Sequence, residues 1–148
     1  MAIPGAMKHL LRWALFAFAL NGLWEVAQLP LYTLWQDTDR ARIVSYVLHC
    51  IAGDVLIATA LFLMAAAIFR DFVWPARWPW RGGLIVVVGG LVYTGFSEWY
   101  NVYQAHAWVY ADSMPLVFGI GVAPLLQWVV VPSLMILLWP RGSARTER

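Results

Sequence analysis

Residues 82–103 read GGLIVVVGGLVYTGFSEWYNVY. A helix needs about 20 mainly apolar residues to cross a bilayer. This stretch is long enough, and Glu98 is its one charged residue. The apolar run decides the fold. Glu98 and Asn101, set near its end where polar groups are costly in hydrocarbon, pose the question of function.

The rest of the chain agrees with lipid as the main solvent. Of its 148 residues, 62% are hydrophobic and 12% charged, against roughly 45–50% and about 25% in an average soluble domain. Ten Trp and six Tyr suit two long water–lipid boundaries, where amphipathic rings settle. Trp35, Trp74, Trp78, Trp80, Trp108 and Trp139 read as such anchors. A net charge of +2, with no basic stripe carrying interleaved aromatics, argues against a nucleic-acid partner. The single cysteine, Cys50, excludes an internal disulfide and any CxxC motif, and reads as a small core residue.

Four windows are long and apolar enough to span, at about Leu10–Leu31, Ser45–Phe69, Leu84–Tyr103 and Gly119–Trp139. They predict an all-α four-helix transmembrane bundle, one integral-membrane domain over residues 1–148. Pro124 and Pro132 fall in the fourth window, tolerable in lipid where neighbouring groups satisfy the freed carbonyls. Ala17-Phe18-Ala19 has the look of a signal cleavage site. Only Trp13 to Phe16 separate it from Arg12, too few for a signal core of about 7–15 residues, so the first window reads as an uncleaved span. The connection QAHAWVYADSMPLVF, residues 104–118, is apolar enough to lie along the interface or dip into it.

An even number of spans puts Lys8, Arg12, Arg70, Arg77, Arg81, Arg141, Arg145 and Arg148 on one side, leaving Arg40 and Arg42 for the other. By the positive-inside rule both termini are then cytoplasmic.

In that topology Asp37, Asp39, Asp71, Asp112 and Glu147 fall in loops or the tail, and Glu25, Asp54 and Glu98 fall within spans. All three lie in the outer half of the membrane. Asn21, Gln28, His49, Asn101 and Gln127 fall between mid-membrane and the same boundary. At about 100° per residue, Asn21, Glu25 and Gln28 share one helix face, and so do Thr94, Glu98 and Asn101. Cys50 and Asp54 align, whereas His49 and Asp54 lie about 140° apart and flank a common space without both facing its centre.

An ionisable group at a helix centre costs about 2.5–3.5 kcal/mol on insertion scales. Three such groups need an offset: mutual hydrogen bonds, a bound cation, trapped water or protonation. Glu25, Asp54 and Glu98 are therefore the candidate catalytic residues. Asn21, Trp24, Gln28, His49, Trp99, Asn101 and Gln127 are the candidate ligand-binding residues. Trp24 and Trp99 each adjoin a buried Glu, and an aromatic wall beside an acid stabilises a cation.

Three functional classes fit. The first is acid–base chemistry of isomerase, cyclase or hydratase type on a lipid-like or isoprenoid-like ligand. In it, Glu98 or Glu25 is the acid, Asp54 its partner, and the site opens sideways to lipid. The second is a metal or proton site. No HExxH, ExxH or repeated His supports a metal, so none is assigned, and the inner half offers no relay residues. The third is a non-catalytic subunit of a larger membrane complex, a homo-oligomer, or a quinone or pigment binder. Interhelical side-chain hydrogen bonds are common glue, and Gly90 and Thr94 permit close helix contact. Ordinary glue accounts well for Asn21, Gln28 and Gln127, and an interfacial position accounts for His49. No cofactor is specified.

At NGLWEVAQLPLYTLW, LHCIAGDVLIA, YTGFSEWYN and GVAPLLQWVVVPSL the chain resembles a family of small, uncharacterised four-span bacterial membrane proteins. The resemblance covers all four windows. It implies a multi-pass protein of the bacterial inner membrane and implies no activity. NGLWE is also similar, over five residues, to a Trp–Glu element of the integral-membrane terpene cyclases. That likeness implies an intramembrane proton donor at Glu25 and at no other residue.

Overall fold

The computed structural model describes residues 5–140. Arg141, Arg145, Arg148 and Glu147, used above for charge and topology, lie outside the described residues.

The chain is predominantly helical. α1 (Gly5–Gln28) ends where Pro30 makes a helical backbone unfavourable for the residue before it. Two 3₁₀ turns, Leu29–Leu31 and Thr33–Gln36, follow. α2 (Arg40–Phe69) begins five residues earlier than hydropathy suggests. The reason is its cap: the Asp39 carboxylate accepts from the backbone N–H groups of Ala41 and Arg42 at 3.0 and 3.2 Å, satisfying two of the orphan donors of the first turn. α2 ends at Arg70, which adopts φ 51° and returns its N–H to the last turn.

α3 (Trp74–Arg77) is one short turn. α4 (Pro79–Trp99) starts on a proline, which suits a first turn because its missing N–H has no helical partner there. It widens at its end into a π-helical turn, Tyr100–Gln104. α5 (Val122–Leu137) closes the series.

α1 packs against α2 and α5, and α4 packs against α2 and α5, so the four long helices close a ring. α1, α2 and α4 are long and apolar enough to cross a membrane. α5 has 16 residues, about 24 Å at 1.5 Å per residue, and is shorter than the window read from the sequence. The first residues of that window, Ile120–Gly121, are instead strand β2, paired antiparallel with β1 (Leu116–Val117). Phe118 and Gly119 both take positive φ at the tip of this hairpin, as a tight primed turn requires.

At the end of the bundle that holds the termini, the core is aromatic. Trp13 and Trp74 are fully buried with Phe62, and their rings lie 5.2–5.6 Å apart. Trp139 stands 6.0 Å from Trp13. Buried indoles keep a polar N–H that needs a partner. Trp13 donates to Ala58 O at 2.9 Å and Trp74 to Phe62 O at 3.2 Å. Trp74 and Trp139 are thus core residues and not surface anchors, whereas Trp35, Trp78 and Trp80 are exposed.

Two glycines of α4 make this packing close. Gly82 lies against the Trp74 ring and Gly90 against the Trp128 ring, each so near that a Cβ would collide with the indole. The expectation of a close approach at Gly90 is met by a ring seated on the helix backbone.

Candidate functional site

At the end away from the termini the bundle is not filled. A cavity of about 220 Å³ lies among α1, α2, α4, α5 and the connecting segments. Glu25, Asp54 and Glu98 all line it, with Gln28, His49, Asn101 and Gln127. Asn21 is buried just beneath, within the hydrogen-bond network of the lining residues. Trp24 and Trp99 do not line the cavity. Trp24 packs toward the core, with its Nε1 donating to Gln28 Oε1 at 3.1 Å, and Trp99 is exposed on the outer surface. The aromatic walls are Tyr32, Tyr46, Tyr93, Trp108 and Trp128.

Helix geometry explains how acids on antiparallel helices meet. Every Cα–Cβ bond tilts toward its helix N-terminus. Glu25 on α1 therefore leans away from the nearby loops, and Asp54 on α2 leans toward them. The two carboxyl groups come within hydrogen-bonding reach of each other.

Amides organise this pair. Gln127 Nε2 donates to Asp54 Oδ2 at 2.8 Å and to Asn21 Oδ1 at 2.9 Å. Gln28 Nε2 donates to Glu25 Oε1 at 2.7 Å and, more weakly, to Gln127 Oε1 at 3.4 Å. Asn21 Nδ2 donates to Ala17 O at 2.8 Å. Each amide has two hydrogens to give, so Gln28 and Gln127 have committed theirs. The network joins α1, α2 and α5.

Glu98 is held differently. Tyr110 OH donates to its Oε2 at 2.6 Å, with Tyr32 OH and Trp108 Nε1 each at 3.4 Å. All three donors reach the same oxygen. Glu98 Oε1 takes no donor among the described residues and is not sealed off, and Glu98 lines the cavity. Asn101, one turn along, donates to Ser97 O at 2.8 Å.

Tyr32, Trp108 and Tyr110 come from segments that reading by spans sets aside as loops. Those segments pair. Thr33 N donates to Val109 O at 3.0 Å and Ala111 N to Leu31 O at 2.9 Å, bridging Tyr32 to Tyr110. In extended backbone, residues two apart share a side, so Trp108 and Tyr110 both reach Glu98. The alternation W-V-Y in residues 108–110 is the signal that could have found them. Tyr110 OH also accepts from Gly121 N at 3.0 Å, tying the hairpin to the acid. Burial, then the neighbouring Glu98 carboxyl, push the Tyr32 and Tyr110 hydroxyls above the usual phenol range, which keeps both as donors.

Among the described residues no group of three or more His, Cys, Asp or Glu side chains is arranged to hold a metal ion. His49 is exposed at the cavity rim, and Cys50 is part-buried in its wall. No family model, curated protein or solved structure matches the chain.

Proposed function

We propose that the chain is a four-span protein of a bacterial inner membrane, both termini cytoplasmic, whose cavity binds a lipid-like or isoprenoid-like molecule and acts on it by acid–base chemistry. The packing of α5 between α1 and α4 supports a fourth span. The hairpin before it makes up part of the length the helix lacks. Arg70 and Arg77 lie in the connection between α2 and α4 and Arg81 in the first turn of α4, all at the same end as the termini, and this supports the orientation. The resemblance to small four-span bacterial proteins supports the membrane assigned.

One observation carries the chemical reading: three carboxyl groups from three helices line one cavity, and they differ in how they are held. Glu98 keeps one oxygen open. Glu25 and Asp54 face each other, and two carboxyl groups can share a hydrogen bond only with one proton between them. The proton held by the Asp54–Glu25 pair, given to one carbon of a double bond, leaves a cation on the other, and Glu98 then takes a proton from the next carbon along, so one C–H bond forms and another breaks. The double bond shifts and no co-reactant is consumed. General acid–base help of this kind is typically worth 10²–10⁴-fold in rate.

A second reading has its own support. The amide network satisfies Glu25 and Asp54 as well as interhelical glue requires, which suits a non-catalytic subunit or a quinone or pigment binder. The two readings part on Glu98→Gln. Protein purified from native membranes would be extracted and its lipid-soluble content identified by mass spectrometry. On the enzyme reading wild type and variant carry different, isomeric molecules at unchanged thermal stability. The same molecule in both, with a lower unfolding temperature for the variant, would overturn it.

A further inference from the structure

The geometry points to an amphiphile with a hydrogen-bond-donating head, hydroxyl or ammonium, as the occupant, its chain leaving sideways between α2 and α4 across Gly53. This rests on the reading that the cavity is a ligand site.

The head follows from what the walls can still offer. Among the described residues no Lys or Arg lines the cavity. Arg42, at that end, lines a separate outer recess and pairs with Asp37 at 3.3 Å. The donors nearest the acids are already spent: both Gln28 and Gln127 amides, the Trp108 indole and the Tyr32 and Tyr110 hydroxyls. Beside them Glu98 Oε1 is an open acceptor, and the other donors of the lining, on Thr94, Ser97, Tyr46, Tyr93 and His49, belong to side chains that are neither Lys nor Arg. A carboxylate or phosphate head would meet three carboxyl groups with no Lys or Arg to offset the repulsion, whereas a hydroxyl or ammonium head donates to Glu98 Oε1 without adding negative charge.

The exit follows from the spacing of two helices. Nearer the termini α2 and α4 are tight, with Leu61 pressed on Gly89 so that a Cβ there would collide. Further out both helices line the cavity, and nothing lies within 4 Å of where a Gly53 Cβ would be. Tyr93, on the opposite wall, is 50% exposed, and His49 is exposed at the rim. Toward the outer recess the cavity is closed by Leu34, Tyr46 and Trp108, which line both spaces. The open side is the one that faces acyl chains. A volume of about 220 Å³ equals about seven waters at some 30 Å³ each. That accommodates a head and the first part of a chain and leaves the remainder in lipid.

The test uses the full chain in phosphatidylcholine nanodiscs with four probes of one chain length: decanol, decylamine, decanoate and decyl phosphate. Native mass spectrometry reads the bound fraction. Decanol and decylamine should bind one per chain, at least tenfold more tightly than the two anions. Gly53→Trp should weaken that binding at least tenfold, and Tyr93→Trp, built from the facing wall, should do the same. Equal or tighter binding of the anions overturns the assignment of the head. Unchanged binding in both Trp variants, each shown folded by thermal unfolding, overturns the sideways exit. Binding of no probe at all removes the ligand site itself, and with it the proposed function.

Discussion

The two ends of the bundle solve the same problem with opposite materials. Near the termini, Trp13, Phe62, Trp74 and Trp139 fill the space between helices, and the indoles of Trp13 and Trp74 close their polar edges on backbone carbonyls. At the far end, acids and amides bond to one another around a space left unfilled. In lipid the hydrophobic effect does not drive helices together, so close packing and interhelical hydrogen bonds must. The aromatic end uses packing and so carries the stability. The polar end gives up packing for a chamber, and its hydrogen bonds hold groups in position more than they hold helices together.

The sharpest way to break that division is Trp13→Ala. It removes a side chain with no exposure and a hydrogen bond to Ala58, and Trp→Ala in a packed core costs about 3–5 kcal/mol. Thermal unfolding in detergent should show the largest loss of any single change described here, with cavity-probe binding intact in the folded fraction. A loss no larger than that from a cavity residue would erase the contrast. Next comes Gly90→Ala. The new methyl meets the Trp128 ring, and overpacking of this kind costs about 1–3 kcal/mol.

At the polar end the effects shrink. Gln127→Leu leaves Asn21 Oδ1 and Asp54 Oδ2 without their shared donor. Stranding a buried polar group costs about 1–3 kcal/mol, and the low end is expected because water in the cavity can take over. Tyr110→Phe removes the 2.6 Å bond to Glu98, a net contribution of about 0.5–1.5 kcal/mol. Its telling readout is probe binding: with one donor gone from Oε2, Glu98 is free to turn, and decylamine affinity should change while decane partition does not.

Much of this was legible in the sequence because one helical period suffices to read it. Asn21, Glu25 and Gln28 share a face by spacing, and all three are buried together. Thr94 and Glu98 do so on α4. The charge bias places the three acids at one level, and all three line one cavity. Hydropathy misplaced what depends on partners far along the chain. Trp108 reads as an interfacial anchor until pairing of the segments around Tyr32 and Tyr110 turns it onto Glu98. Trp74 and Trp139 read as anchors because a loop tryptophan in a membrane protein usually is one, and only the facing helices show that they close the core. Trp24 adjoins Glu25 in sequence, but neighbours on a helix point about 100° apart, and it faces away from the cavity. The start of α5 was misread because the hairpin residues Ile120 and Gly121 are as apolar as a helix.

The smallest effect is the most discriminating, because its sign is opposite to that of the same substitution at a tightly packed glycine. Gly53→Ala is chemically the same change as Gly90→Ala, also within a long apolar helix. At Gly53 the added methyl meets nothing within 4 Å, and Gly within a helix is less stable than Ala by roughly 0.5–1 kcal/mol. The variant should therefore unfold at a slightly higher temperature than wild type, while Gly90→Ala unfolds at a lower one. Two glycines that destabilise alike on replacement would mean that α2 and α4 close together over Gly53 in lipid. The chamber would then have no open side, and a long-chain occupant would have no way in.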